Sequence, residues 1–161
     1  MADFEIAAGP LEEFASNRRL LTVEWGHCDP AGIVYHPRFI DYFDWSCVVL
    51  IETALGMKKS AISKVYGMAG IPVVGLSARV TGVVRYGDEI EIVSTITALN
   101  RSSFHVRHTL TRDGLPMADC TQMRVWCEHD PKAPTSLKSC EIPAEVREKL
   151  RRRAVPSQEA G

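Results

Sequence analysis

Pro37-Arg38-Phe39-Ile40-Asp41-Tyr42-Phe43-Asp44-Trp45-Ser46-Cys47-Val48-Val49-Leu50-Ile51 is a run whose apolar residues leave only a narrow polar stripe. At 3.6 residues per turn, such a run makes a helix that is buried on most of its sides. Proline suits the first helical position, where its fixed φ helps and its missing N–H costs nothing, and this puts His36 at the N-cap. The helix is expected to reach about Leu55 and to stop at Gly56. What wraps this helix decides the fold.

Upstream, Arg19-Leu20-Leu21-Thr22-Val23-Glu24-Trp25-Gly26 reads as a strand, and a loop rich in Asp, Pro and Gly covers 27–34. Downstream, a short helix at 58–66 ends at Gly67, and the period then changes to two. Ile90, Ile92, Ser94, Ile96 and Ala98 alternate with Glu89, Glu91, Val93, Thr95 and Thr97, the pattern of a half-buried strand. Comparable strands are expected at 72–84, 102–112 and 116–128, the last two joined by a tight Asp113-Gly114 hairpin turn. Pro143 to Arg153 reads as a polar surface helix. The order predicts an α+β fold, a curved antiparallel sheet wrapped around one long central helix. It forms a single domain over 18–152, with 1–17 and 153–161 as poorly ordered tails. An open curved sheet leaves unpaired edges, so a homo-oligomer is expected, a dimer at least.

The chain has 161 residues, the size of one domain, and its 45% hydrophobic content is enough for a core. A net charge of −1 supplies no field that would draw the protein to nucleic acid or an anionic membrane. Met1-Ala2-Asp3-Phe4-Glu5-Ile6 lacks a basic region followed by an apolar stretch, and no run of about 18 apolar residues occurs. Cys28, Cys47, Cys120, Cys127 and Cys140 are odd in number and form no disulfide framework or CxxC pair. Reduced thiols in a cytoplasmic protein fit these observations.

The densest polar cluster, His27-Cys28-Asp29-Pro30-Ala31-Gly32-Ile33-Val34-Tyr35-His36-Pro37, lies between a strand end and the start of the buried helix. First-turn amides, those near His36, Arg38 and Phe39, have no acceptor within the helix and can donate to an oxygen on which negative charge develops. Asp29 beside that positive pole would stay ionised, which suits either a base that activates water or a carboxylate that attacks an acyl carbon. Asp-Pro-Ala-Gly is also the composition of a plain turn.

Other constellations carry less. His27 and Cys28 are adjacent, so on an extended chain they point to opposite faces and are badly placed to share a proton. His27, Cys28, Asp29 and His36 have no recognised metal-ligand spacing, and no metal is expected. His105 and His108 face opposite ways on their strand, and His108 shares the Phe104, Val106, Leu110 face as a hydrogen-bonded core histidine. Arg151-Arg152-Arg153 closes a helix whose C-terminal carbonyls favour cations.

The stretch from Glu24 through Pro37, continuing into Arg38-Phe39-Ile40-Asp41-Tyr42-Phe43-Asp44, resembles the signature of the 4-hydroxybenzoyl-CoA thioesterase family of hot-dog proteins. Gly70-Ile71-Pro72-Val73-Val74 and Ser103-Phe104-His105-Val106-Arg107-His108 are similar to it as well, so the resemblance covers about residues 20–128. It implies a hot-dog fold and an acyl-CoA thioesterase with an aromatic, hydroxybenzoyl-like acyl group. Asp29 is then the catalytic carboxylate, and the backbone amide of His36 polarises the thioester carbonyl. Asp44 contacts a ring hydroxyl, with Gly32 and Tyr35 as further substrate contacts. His36 stands where the namesake enzyme has Tyr, and its basic run before Ser-Phe is here Asn100-Arg101-Ser102. Arg101 and Arg85 are left as the cations for the CoA phosphates. Coenzyme A belongs to the substrate and no further cofactor is expected; the family implies a dimer or homotetramer. An aliphatic acyl-CoA thioesterase, a non-catalytic acyl-CoA-binding protein and an enoyl-thioester hydratase are the alternatives. The hydratase would need a His–carboxylate pair that the sequence does not identify.

Overall fold

The computed structural model describes residues 14–151. Its elements are β1 (Ser16–Thr22), α1 (Pro37–Leu55), α2 (Lys59–Tyr66), β2 (Val73–Val80), β3 (Glu89–Leu99), β4 (Ser103–Arg112), β5 (Leu115–Val125), β6 (Cys127–Asp130), β7 (Ala133–Ser139) and α3 (Ala144–Arg151). Five strands form one antiparallel sheet in the order β1-β3-β4-β5-β2, and α1 packs across its concave face. This is the hot-dog arrangement. Most of the expected tails at 1–17 and 153–161 lie outside the described residues, but Ser16 and Asn17 belong to β1, paired with Thr95 and Ser94.

Helix α1 buries Phe39, Tyr42, Phe43, Ser46, Cys47, Leu50, Ile51 and Leu55, which is one face and not most of its sides as expected: Trp45, 58% exposed, stands on the open side with Asp41 and Asp44. Gly56 ends it in the left-handed conformation, its N–H returning to the carbonyls of Glu52 and Thr53. The core beneath falls into two clusters. Phe43, Ile90, Ile92, Leu110 and Cys120 surround the first half of α1. Leu50, Ile51, Ile96, Phe104, Val106 and Trp126 surround the second half, closed by Val146 and Leu150 of α3. Full burial of each such side chain contributes about 1.5–3 kcal/mol against the entropy of ordering the chain. Between the clusters Ser94 and His108 sit opposite each other on β3 and β4, and Gln122 and Arg124 follow on β5, so a polar row crosses the sheet inside the core.

Three strands differ from the sequence reading, the second of them, β2, stopping at Val80 and not reaching 84. The first strand runs from Ser16 to Thr22 and not over 19–26, because the chain turns at Trp25–His27 in a 3₁₀ turn closed by Glu24 and His27. The backbone N–H of Glu24 donates to His27 Nδ1 at 3.1 Å. The last long strand stops at Val125, and the chain then forms a separate β6–β7 hairpin that the sequence did not announce. The Asp113-Gly114 turn is as expected, with φ values of 52° and 75° at its two corners. Glu52, whose apolar neighbours on α1 are apparent from sequence, accepts from the backbone N–H of Lys59 at 2.9 Å and from Lys58 Nζ at 3.1 Å, so it caps α2.

Candidate active site

The Asp29 loop is a hairpin built almost wholly by backbone. Asp29 N–H donates to the Ile33 carbonyl and Gly32 N–H to the Asp29 carbonyl, each at 2.9 Å. Gly32 has φ +73°, where a side chain would be strained, so this corner requires glycine. Val34 N–H reaches the Val84 carbonyl at 2.8 Å and Tyr35 N–H reaches the His27 carbonyl at 2.9 Å, which folds the loop back beside the start of α1. The turn composition of Asp29-Pro30-Ala31-Gly32 therefore has its literal meaning. It leaves the carboxylate usable: Ala31 N–H donates to Asp29 Oδ1 at 2.9 Å, and no described group occupies Oδ2.

The helix start narrows the candidate amides to one. Arg38 N–H is taken by the Tyr35 carbonyl at 2.8 Å and Phe39 N–H by the His36 carbonyl at 3.2 Å, so two of the three expected donors are spent in a tight first turn. Pro37 has none to offer. Among the described residues the backbone N–H of His36 has no acceptor. A free N–H at a helix start can stabilise an oxyanion, and the same hairpin carries an incompletely engaged carboxylate.

Asp44 lies two turns further along α1. Its Oδ1 accepts from Arg124 Nη2 at 2.5 Å and from Gln122 Nε2 at 3.0 Å. Its side chain is 51% exposed, while that of Arg124 is only 6% exposed. Asp44, Arg124, Trp45, Val48, Ile71 and Pro72 line a cavity of about 520 Å3. A second cleft of about 680 Å3, on the other side of Asp41 and Trp45, is lined by Arg19, His27, Arg38 and Tyr42. Burial first, then the nearby Cys28, pushes the Tyr42 phenol up to about 12. Asp29 lines neither cavity.

Among the predicted residues, the structure thus brings together Asp29, Gly32, Tyr35 and His36, with Arg85 beside them through the bridge between Ile33 and Arg85. Asp44 stands apart in its own cavity. Arg101 lies at the β3–β4 turn, the opposite end of the sheet from Arg85, where its exposed guanidinium meets Glu141 at 3.3 Å. The His27–Cys28 pair has no shared proton: His27 Nδ1 is held by Glu24 N–H, and Cys28 Sγ faces the Glu24 carbonyl at 3.9 Å. His108 is a satisfied core histidine, bonded to Ser94 and Gln122. Burial pushes the thiols of Cys47 and Cys120 up to about 11 and 12. Among the described residues no group of three His, Cys, Asp or Glu comes together as a metal site, and no helix is long and apolar enough to cross a membrane.

Gln122 and Arg124 were missed from sequence as site residues. The signal was present: on β5 they follow Ala118 and Cys120 at period two, which puts an amide and a guanidinium on the buried face.

A family model for the thioesterase-like superfamily matches residues 23–150. The chain is 29% identical over 129 residues to the 4-hydroxybenzoyl-CoA thioesterase of Pseudomonas sp. strain CBS-3, covering 76% of this chain and 89% of that protein. A mutant form of 4-hydroxybenzoyl-CoA thioesterase, solved with 4-hydroxybenzoyl-CoA bound, superposes with a TM-score of 0.77 at 25% identity over 84% of this chain and 98% of that one. A gentisyl-coenzyme A thioesterase superposes with a TM-score of 0.69 at 28% identity, over 81% and 98%.

Proposed function

Since the chain belongs to the thioesterase-like superfamily, we propose that it hydrolyses an aromatic acyl-CoA to the free acid and CoA. The observation that carries this reading is the idle backbone N–H of His36, at the helix end of the same hairpin that leaves the carboxylate of Asp29 half-engaged. The N–H stabilises the oxyanion formed from the thioester carbonyl, and Asp29 Oδ2 either attacks the acyl carbon, giving a mixed anhydride that water then hydrolyses to the free acid, or draws a proton from water that attacks directly. The cavity at Asp44 receives the ring between Trp45, Ile71 and Pro72, and the CoA thiolate leaves. The chemistry calls on no cofactor beyond the CoA of the substrate. The aromatic relatives, and a cavity in which Trp45, Val48, Ile71 and Pro72 lie beside Asp44, with Asp41, Lys59 and Arg124 also in its lining, support an aroyl group over an aliphatic one.

The separation of Asp29 from the acyl cavity is accounted for by a dimer. Strand β2 is an edge, and Leu76, Ala78 and Val80 stand on its helix-side face opposite Gln122, Cys120 and Ala118, yet all three are exposed. α1 does not cover them, and an uncovered apolar edge calls for a second chain. β2 begins beside the cavity, where Val73 pairs with Arg124, and ends at Val80, just before the segment that bridges the Asp29 loop. Antiparallel pairing of two β2 edges across a two-fold sets the end of one strand against the start of the other. Asp29 and His36 of one protomer then meet the acyl cavity of its partner. The same pairing brings Arg85 of one chain towards the end of the sheet that carries Arg101 in the other, and both cations face the CoA phosphates. Two such dimers would make the tetramer, and the five free cysteines fit a cytoplasmic protein.

The test is free-thiol release from a matched set of 4-hydroxybenzoyl-CoA, benzoyl-CoA and a medium-chain fatty acyl-CoA, with wild type and Asp29→Asn. Aroyl-CoA is expected to turn over fastest, and Asn to lower kcat by about 10³-fold or more with the fold intact by circular dichroism. Near-wild-type turnover by Asp29→Asn would falsify the assignment, and a preference for the fatty acyl-CoA would make the aliphatic reading the correct one.

A further inference from the structure

The polar row that divides the core ends on Asp44. Gln122 Oε1 accepts from Arg124 Nε at 3.1 Å and from Nη2 at 2.8 Å, so the amide has only one tenable orientation, with its NH2 group towards Asp44. His108 Nε2, 3.3 Å from the same Oε1, must then carry the proton, and Nδ1 accepts the hydroxyl of Ser94 at 2.7 Å. Burial first holds the imidazole at about 4, so it is neutral in use and keeps this tautomer. Phe43 stacks on its ring at 5.3 Å. Arg124 is anchored from the other side by Nη1 donating to the Ile71 carbonyl at 3.1 Å.

Every donor aimed at Asp44 converges on Oδ1. No described group donates to Oδ2, and the carboxylate borders the cavity. A carboxylate free to rotate would share its two oxygens between a substrate and its own partners. This one cannot turn without breaking both bonds to Oδ1.

We infer that Gln122 and Arg124, locked in turn by His108 and Ser94, are positioning residues that fix Asp44 so that Oδ2 accepts a hydrogen bond from a hydroxyl on the acyl ring. This set therefore determines the preference for hydroxylated over unsubstituted aroyl-CoA. The inference rests on the acyl cavity assigned above and concerns selectivity, since none of these four side chains reaches Asp29 or the His36 amide. A hydroxyl donor supplies the proton that Oδ2 lacks, and an unsubstituted ring would leave a carboxylate oxygen facing apolar carbon.

The quantity to measure is the ratio of kcat/KM for 4-hydroxybenzoyl-CoA to that for benzoyl-CoA, in wild type, Gln122→Met, Gln122→Glu and Asp44→Ala. Gln122→Glu is isosteric and keeps an acceptor for Arg124, but it cannot donate to Asp44. Gln122→Met keeps the volume should the charged variant fail to fold. Wild type is expected to favour the hydroxylated substrate, and each Gln122 variant to lower the ratio by about tenfold, the size of one hydrogen bond to a charged group. The loss should appear in KM for the hydroxylated substrate more than in kcat. In the Asp44→Ala background, Gln122→Met should change the ratio no further, because its effect passes through Asp44. A ratio that survives both Gln122 variants, or an equal loss on the two substrates, overturns the inference while leaving aroyl-CoA hydrolysis standing. Absence of aroyl-CoA hydrolysis in wild type overturns both.

Discussion

Two carboxylates near one helix are held in opposite ways. Asp29 is fixed by the backbone of its own hairpin, within five residues of sequence, and the same segment leaves the backbone N–H of His36 idle. Asp44 is fixed by side chains 78 and 80 residues away, and its neighbours within the core spend their donors on one another. On the proposed site roles, the contrast divides the labour. Backbone geometry survives most substitutions, so it suits the step common to all thioesters; a side-chain network can be rewritten residue by residue, so it suits the choice of acyl group.

The sharpest way to break the comparison is at His36. Its φ of −51° is close to the roughly −65° that proline requires, so His36→Pro removes the N–H at a φ that proline can adopt. Loss of an oxyanion donor should lower kcat by about 10²–10³-fold. His36→Ala keeps the amide and should stay within a fewfold of wild type. Equal losses in the two variants, measured on one aroyl-CoA, would transfer the role from the backbone to the imidazole.

The side-chain region has a signature of its own in pH. Because burial lowers the His108 pKa from 6.5 to about 4, the unfolded chain takes up a proton before the native one does. Stability is full above 6.5 and is lost as pH falls towards 4, with about 1.4 kcal/mol gone by about pH 5.5. His108→Gln, compared with wild type by denaturant titration at both ends of that range, should lose this slope. A slope unchanged in the variant would place its origin elsewhere.

Arg101 gives the smallest expected effect. Its pair with Glu141 is exposed on both sides, 82% and 62%, and contributes little to folding. Arg101→Ala should raise KM for CoA thioesters about threefold at low salt, less at high salt, with kcat unaltered. A KM that does not move at any salt concentration removes Arg101 from the CoA contacts.

What could be read from sequence follows the same division. The span of α1 from Pro37 to Leu55, the alternation along β3 and the Asp113-Gly114 turn depend on neighbours a few residues apart, and they appear where expected. His108 as a core histidine was legible from strand parity alone. The fates of the Arg38 and Phe39 amides were not, because a first turn of α1 and a tighter one that spends both donors have the same sequence pattern. Nor was the Gln122–Arg124 clamp, whose partner lies on another element; parity placed both residues inside but could not say against what. β7, Ala-Pro-Thr-Ser-Leu-Lys-Ser, has no alternation and only one large apolar residue, Leu137, and its strand signal lies in its pairing with β6.

That hairpin touches the Asp44 cavity at two places. β6 is tied to the cavity wall by hydrogen bonds from Cys127 N–H to the Gly70 carbonyl and from Ala69 N–H to the Cys127 carbonyl, and Leu137 of β7 reaches the rim. Yet β6 and β7 form their own two-stranded sheet, outside the five-stranded ladder that holds Gln122 and Arg124. Insertions at the 131–132 turn can therefore reshape the entrance while the floor keeps its register. Such a chain can explore larger or smaller acyl groups by changing a loop length, without re-solving its core.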